Sequence, residues 1–181
     1  SNVFVITGGN ANSIGVVLNS TNYSVIGNSR INTSGTGANN YGIQLYKSEN
    51  NNISSNTLRT SGSGILNIGI FVTSDSLNSV VSLNNISTSG TRTNDGIRLD
   101  SINSSFIQSN NITTTGTADS NFGIVMQNAS SNNTVSSNTL STNGTNFNFG
   151  IYSYQGSSNN TITANTVFTH GTQNSNIGIY I

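Results

Sequence analysis

The sequence predicts an all-β fold in which the chain winds into a single-stranded parallel β-helix, with three short strands in each coil. Three observations predict it: a repeat of about 27 residues, apolar residues at every second position within the repeat, and few residues that favour helix interiors. A chain of 181 residues provides six to seven such coils, and we expect one domain over 1–181.

The repeat is defined by a glycine that precedes a β-branched residue. This glycine places the coil starts near 15, 42, 69, 96, 123, 150 and 178, after a partial coil over 1–14. Apolar pairs five residues apart keep the same period, at Ile26/Ile31, Ile53/Leu58, Val81/Ile86, Ile107/Ile112, Val135/Leu140 and Ile162/Val167. Columns that stay in step over six repeats indicate an ordered array rather than a disordered, low-complexity chain.

The three strands follow in order within each coil. The first, Gly-Ile-x-Leu, alternates apolar residues with others, as at Ile43 and Leu45. The second, Ile-x-Ser, and the third, Leu-x-Thr, flank an Asn such as Asn56, where the alternation is broken once. We expect this Asn to turn the corner in a left-handed conformation, and a Gly-containing loop to lead to the next coil.

Stacked coils are expected to bury one continuous apolar core. Each coil offers about five inward side chains if the residue before the glycine is counted, such as Tyr41, Ile68 or Phe149. The Asn, Ser and Thr columns are expected to form ladders of like side chains along the axis. The Thr column from Thr33 to Thr169 has inward parity, so ice binding, which needs outward Thr rows, is only a minor alternative.

The composition excludes several classes of function. Only 6% of the residues are charged and the net charge is zero, so we expect no nucleic-acid partner. The chain has no Cys, which excludes disulfides and thiolate zinc sites, and no apolar run long enough to cross a membrane. We expect no cofactor and no metal site, and we interpret His170 as a solvated loop residue.

Three segments, Asn52–Leu58, Asn133–Leu140 and Asn160–Val167, resemble the repeats of right-handed parallel β-helix proteins. Such repeats occur in pectate-lyase-like enzymes and in bacterial and archaeal surface proteins. The resemblance implies a right-handed coil over nearly the whole chain. It implies no particular activity, because the same coil carries lyases, epimerases, adhesins and stalks. No acidic cluster or His-Asp pattern matches the enzymes, so no catalytic residue carries over.

The candidate contact face lies on the first strand of each coil. The outward position between its two apolar residues holds Val17, Gln44, Phe71, Arg98, Val125, Tyr152 and Tyr180. We name Phe71, Arg98, Asp100, Tyr152, Tyr154 and Tyr180 as candidate binding residues. Aromatic groups in a row indicate a surface for sugar rings or for another protein, or one that a long loop covers. The neighbouring charges Lys47, Glu49 and Asp75 are expected to form only surface ion pairs.

The two ends of the chain lack the polar caps that usually close a solenoid. We expect two sets of residues to be assembly ends: Val3, Phe4 and Val5, and Ile179, Tyr180 and Ile181. They would join chains head to tail, or meet flanking parts of a longer protein. The sequence therefore predicts a non-enzymatic structural solenoid, part of an extracellular or cell-surface filament, surface layer or adhesin stalk. The alternative is a β-helix that binds or processes carbohydrate through the contact face.

Overall fold

A computed structural model describes residues 2–8 and 12–181 and confirms the predicted fold. Each coil contributes one strand to each of three parallel sheets, in the order in which the coils follow along the chain. No helix that could span a membrane occurs in the part of the chain that the structure describes. The chain is a right-handed β-solenoid of about six turns.

Sheet 1 collects the first strand of each coil. Its seven strands are β2 (Ile14–Asn19), β5 (Asn40–Tyr46), β8 (Asn67–Thr73), β11 (Asn94–Asp100), β14 (Asn121–Gln127), β17 (Phe149–Ser153) and β20 (Ile177–Tyr180).

Sheet 2 collects the short strands and sheet 3 the last strands of the coils. Sheet 2 has six strands, β3 (Val25–Gly27), β6 (Asn52–Ser54), β9 (Val80–Ser82), β12 (Phe106–Gln108), β15 (Thr134–Ser136) and β18 (Thr161–Thr163). Sheet 3 has seven strands, β1 (Val3–Gly8), β4 (Arg30–Gly35), β7 (Thr57–Gly62), β10 (Asn85–Gly90), β13 (Asn111–Gly116), β16 (Thr139–Gly144) and β19 (Thr166–Gly171).

The core is a set of apolar columns enclosed by the three sheets. Like residues pair with like from coil to coil, so Leu58 lies beside Ile86 and Ile86 beside Ile112. These side chains are at most 1% exposed. The predicted inward Thr column is confirmed as well, because its members from Thr33 to Thr142 are buried and Thr169, in the last coil, is half-buried. One coil cannot bury this surface alone, so the stack is the unit of stability.

The Asn at the corner between sheets 2 and 3 forms a buried ladder, as predicted. Asn84 donates from its Nδ2 to Asn110 Oδ1 at 3.0 Å and to the carbonyl oxygen of Ile53 at 2.8 Å. Asn110 repeats the pattern with Asn138 and Val81. The amide therefore bonds both to its own column and to the backbone of the preceding coil.

The prediction that this Asn itself adopts the left-handed conformation is wrong. The residue just before it has positive φ, for example Ser55 at 58° and Leu83 at 57°. The turn is made one residue earlier, and the Asn side chain is thereby directed inward, where it satisfies buried backbone groups. A short amide suits this position because it replaces strand hydrogen bonds that the corner interrupts.

A second Asn ladder, which the sequence interpretation missed, runs two residues before the repeat glycine. It comprises Asn40, Asn67, Asn94, Asn121, Asn148 and Asn176. Each Nδ2 donates to Oδ1 in the next coil at 2.7 to 2.9 Å. The fixed spacing of 27 or 28 residues was the available signal. The ladder closes the edge of the core where sheet 3 passes into sheet 1.

The residue before the repeat glycine lies on the outer side of sheet 1 and outside the core cluster, so its predicted place in the core is wrong, although Tyr41, Ile68 and Phe149 are each at most 8% exposed. The glycine takes the inward position: a Cβ on Gly42 would lie 2.8 Å from Leu58 Cδ2 and 2.5 Å from the carbonyl oxygen of Gly69. Ile43 also faces the core. Two consecutive inward positions shift the alternation by one residue, so Tyr41 lies on the outer face.

Candidate functional site

The outer face of sheet 1 carries two groups of aromatic side chains, because the glycine shift places two columns of large side chains side by side; Tyr41 and Phe149 are largely covered by their neighbours, at 8% and 6% exposed. We define the aromatic face as Tyr41, Phe71, Phe122, Phe149, Tyr152, Tyr154 and Tyr180. Of these, Phe71, Tyr152, Tyr154 and Tyr180 were predicted from the sequence, and the other three were assigned to the core. The signal that could have found them is the repeat glycine itself, whose missing side chain allows the shift.

The C-terminal part of the aromatic face is a cluster of closely packed rings. Tyr152 and Tyr154 stack at 4.2 Å between centroids with an interplanar angle of 1°. Phe149 stacks on Tyr180 at 5.5 Å and meets Tyr152 edge to face at 4.9 Å. Phe122 lies 5.5 Å from Phe149. Such pairs contribute roughly 0.5–1.5 kcal/mol each beyond burial, so the rings hold one another in fixed orientations.

The N-terminal part is a separate ring pair. Tyr41 meets Phe71 edge to face at 5.2 Å, and the Tyr41 hydroxyl donates to Asn39 Oδ1 at 3.1 Å. Phe71 therefore contacts Tyr41 rather than the rings of the C-terminal cluster. The predicted residue Phe71 belongs to the same face as Tyr152, but the coils of Arg98 and Val125 lie between them.

A charged pair, Asp95 and Arg98, lies between the two aromatic groups. Arg98 donates from Nε to Asp95 Oδ2 at 2.6 Å, and its NH2 group contacts the same oxygen. Asp95 is fully buried, and its Oδ1 has no hydrogen-bond partner among the described residues. Burial raises the pKa of Asp95, and the charge and hydrogen bond of Arg98 oppose that rise in part. The pair costs desolvation energy and interrupts an otherwise aromatic and aliphatic face.

A polar network borders the C-terminal cluster. The Tyr154 hydroxyl donates to Gln127 Oε1 at 2.7 Å, and Gln127 Nε2 donates to Asp100 Oδ2 at 2.8 Å. Asn128 Nδ2 donates to Asp100 Oδ1, also at 2.8 Å. The predicted residue Asp100 thus orients Tyr154 through Gln127. Burial raises the pKa of the Tyr154 hydroxyl, so it remains a neutral donor at neutral pH.

Other predicted charges take minor positions. The surface ion pairs expected for Lys47, Glu49 and Asp75 are not formed among the residues described, and Lys47 Nζ lies 5.3 Å from the ring centroid of Tyr46 instead. His170 is exposed, as predicted, but it lies on strand β19 and not in a loop. Within 2–8 and 12–181, no group of three metal-ligating side chains is close enough to hold an ion.

The terminal residues singled out in the sequence lie on exposed strands. Val3 is 65% exposed and Phe4 37% on β1, and Ile179 is 45% and Ile181 82% exposed at the other end. Tyr180 was predicted both as a binding residue and as an assembly end; it is the last residue of β20, and its ring stacks on Phe149 of the aromatic face. The side chain of Val5 lies outside what the structure describes.

These observations define a right-handed parallel β-helix with polar ladders along its core and one aromatic outer face. The model of the family described as right handed beta helix region matches residues 14–181, and the chain belongs to this family. No curated protein and no solved structure matches the chain. The family includes enzymes and proteins without catalytic activity, so it defines the fold and leaves the activity to the site.

Proposed function

We propose that the chain is a non-enzymatic structural solenoid, a rigid segment of an extracellular filament, surface layer or adhesin stalk. The observation that carries this proposal is the buried Asn ladder, which continues from Asn56 to Asn165 without interruption. Each coil is tied to the next by side-chain bonds, core columns and three strand pairs. At about 4.8 Å per coil, such a stack is a spacer whose length is set by its number of coils.

The low charge and the Asn-, Ser- and Thr-rich exterior support an exposed location. Beta-helix domains are often extracellular or attached to surfaces. An antibody raised against the folded chain tests the location on intact cells of the producing organism. We expect surface labelling that brief protease treatment of the cells removes. Labelling that appears only after the cells are permeabilised would contradict the proposal.

Strand pairing beyond the terminal coils is part of the proposed assembly. Strands β1 and β20 each present an open edge with exposed apolar residues, and an added strand from a second copy or a flanking segment would pair there. Sedimentation of the 181-residue chain over a range of concentrations tests self-association. We expect species that grow with concentration and that Ile179→Lys suppresses. A monomer at every concentration would contradict head-to-tail stacking.

Carbohydrate binding at the aromatic face is a second candidate function. The specific observation is the parallel pair Tyr152 and Tyr154, bordered by the donors and acceptors of Gln127, Asn128 and Asp100. Flat rings suit the apolar faces of sugars, and the polar border suits their hydroxyls. We expect binding on a glycan array that weakens about tenfold in Tyr152→Ala with Tyr154→Ala, by roughly 1.4 kcal/mol.

The matched control for the second candidate is Phe168→Ala. Phe168 lies on β19 of sheet 3 and is 54% exposed, more than the half-buried Tyr152 and Tyr154. Glycan binding should be unchanged in this variant. Equal losses in both variants would indicate nonspecific adhesion of the protein. Absence of any binding would contradict the second candidate and leave the structural proposal intact.

A further inference from the structure

The outer face of sheet 3 differs in charge from that of sheet 1. Its outward positions along β4, β7, β10, β13, β16 and β19 are mostly Asn, Ser and Thr, and none is Asp or Glu. Two of them are arginines, Arg30 on β4 and Arg59 on β7, both exposed. All five acidic residues of the chain lie on sheet 1 or in the connections between strands. The potential on this part of sheet 3 is therefore positive.

The two arginines line one groove. Strand register places Arg30 beside Thr57, and Asn32 beside Arg59, so the arginines are diagonal neighbours one coil apart. Both side chains line a depression of about 380 Å³ together with Asn32, Thr57, Asn85 and Ser87. We call this depression the arginine groove. Long side chains on diagonal positions of a sheet can reach the same point between them.

Neither guanidinium has an acidic partner within residues 2–8 and 12–181. The one ion pair among the described residues is that of Arg98 with Asp95, on the other sheet. Asn85 Oδ1 accepts from Asn111 Nδ2 at 3.4 Å, which leaves the NH2 group of Asn85 free to donate toward the groove. The groove thus combines two unpaired planar cations with an amide donor and two hydroxyls. Apart from the amide oxygens of Asn32 and Asn85, its side chains offer donors rather than strong acceptors.

We propose that the arginine groove binds a sulfate or phosphate ester group carried on a larger molecule. A guanidinium presents paired N–H donors that match two oxygens of a tetrahedral oxyanion, and two guanidiniums supply enough positive charge for a singly charged sulfate ester or a doubly charged phosphate monoester. The absence of carboxylates on the surrounding outward positions removes the repulsion that would otherwise oppose an anion. This proposal does not depend on the proposed structural function or on the aromatic face.

The open shape of the groove favours an ester on a polymer over a free ion. Free sulfate keeps most of its hydration in an exposed site and has only this one pair of arginines to hold it. A polymer that bears several esters presents a high local concentration of them, so that rebinding increases its apparent affinity. The rest of the polymer would lie along the neutral Ser and Thr rows of sheet 3, without acidic side chains to repel it.

The test uses a double variant that combines Arg30→Gln and Arg59→Gln, and compares it with the matched control Arg92→Gln. Arg92 is an exposed arginine in the connection after β10, outside the groove. The probes are dextran sulfate, unmodified dextran, carboxymethyl dextran of matched charge, inorganic sulfate and inorganic phosphate, measured by isothermal calorimetry. All three substituted side chains are exposed, and circular dichroism checks that each variant keeps its β signal.

We expect dextran sulfate to bind the parent chain and Arg92→Gln equally, and the double variant at least about tenfold more weakly, since two charge-assisted contacts are lost. Added sodium chloride should weaken the binding. Inorganic sulfate and phosphate should bind far more weakly than the polymer. Equal losses in Arg92→Gln, equal affinity for carboxymethyl dextran, or no binding of dextran sulfate would each overturn the proposal.

Discussion

The inner and outer surfaces of the same coils follow different rules. On the inside, one column holds Leu58, Ile86 and Ile112, and the next repeats Asn in five of its six coils. On the outside of sheet 1, the column of Phe71 changes in the next coil to Arg98. Stacking therefore restricts the inner surface, because an inward side chain that does not fit disturbs the packing of the coils on both sides of it. The outer surface is free to vary and carries whatever recognition the molecule has.

The strongest way to break this comparison is to truncate one inner residue and its outer neighbour. Asn110→Ala removes an amide that accepts from Asn84 and donates to Val81 and Asn138, and leaves their buried groups unsatisfied. We expect a loss of about 3 kcal/mol in the free energy of unfolding. Asn111→Ala, on the outer face, should cost below about 0.5 kcal/mol. Urea denaturation measures both, and equal losses would contradict the distinction.

A second test concerns the inward glycine. A Cβ on Gly123 would lie 2.5 Å from the carbonyl oxygen of Gly150 and 2.7 Å from Leu140 Cδ2. Gly123→Ala should therefore destabilise the chain by about 2 kcal/mol through overpacking. Gly178 occupies the same column, but its added Cβ would meet only Val167 Cγ1 at 3.9 Å. In thermal unfolding, the midpoint temperature of Gly178→Ala should be close to that of the parent chain. A lower midpoint for Gly178→Ala than for Gly123→Ala would disprove that the repeat glycine faces the core.

The buried pair on the outer face gives a smaller, pH-dependent effect. Burial raises the pKa of Asp95 above its ordinary value of 3.8, so the folded chain holds this proton more tightly than the unfolded chain. The contribution of Asp95 to stability is then complete below pH 3.8 and is lost as the pH rises through the folded pKa. The stability of the parent chain relative to Asp95→Asn should fall over that range in urea titrations. A relative stability that grows with pH would show that Arg98 dominates.

The smallest expected effect tests whether the residue before the corner Asn makes the turn. Leu83 has a φ of 57° and is 62% exposed, in a column that elsewhere holds Asn28 and Ser55. A left-handed conformation strains a large side chain and suits Asn. Leu83→Asn should therefore stabilise the chain by roughly 0.5–1 kcal/mol in urea denaturation. A loss of stability would mean that the exposed Leu makes contacts that outweigh the strain.

The fold could be predicted from the sequence because its determinants recur. A column of apolar or Asn residues that returns every 27 residues is visible without coordinates, and the strands, the core and the corner ladder follow from it. The prediction failed where one residue shifts the alternation. Strict period two places Tyr41 inside, and only the steric environment of Gly42 shows that the glycine takes that place.

The same limit applies to the candidate site. Phe71, Tyr152 and Tyr180 were found because their column lies between two clear core positions, and Tyr154 because it lies two residues further along the same strand direction. Phe122 and Phe149 were misassigned with the glycine, and Asp95 was seen only as a departure from the pattern. Its pairing with Arg98, three residues later, depends on both side chains lying on one face. The pair can be recognised only once the one-residue shift of the alternation at the repeat glycine is known.

The most direct test of the stacking is a set of distances along one outer column. Ser34, Ser61 and His170 share a column of sheet 3, with His170 four coils from Ser61 and five from Ser34. Because the chain has no cysteine, paired cysteines at these sites accept spin labels cleanly. Electron paramagnetic resonance should give narrow distributions near about 19 Å and about 24 Å, one coil spacing apart. Broad distributions, or a difference unrelated to the coil spacing, would contradict the stacked 27-residue coil.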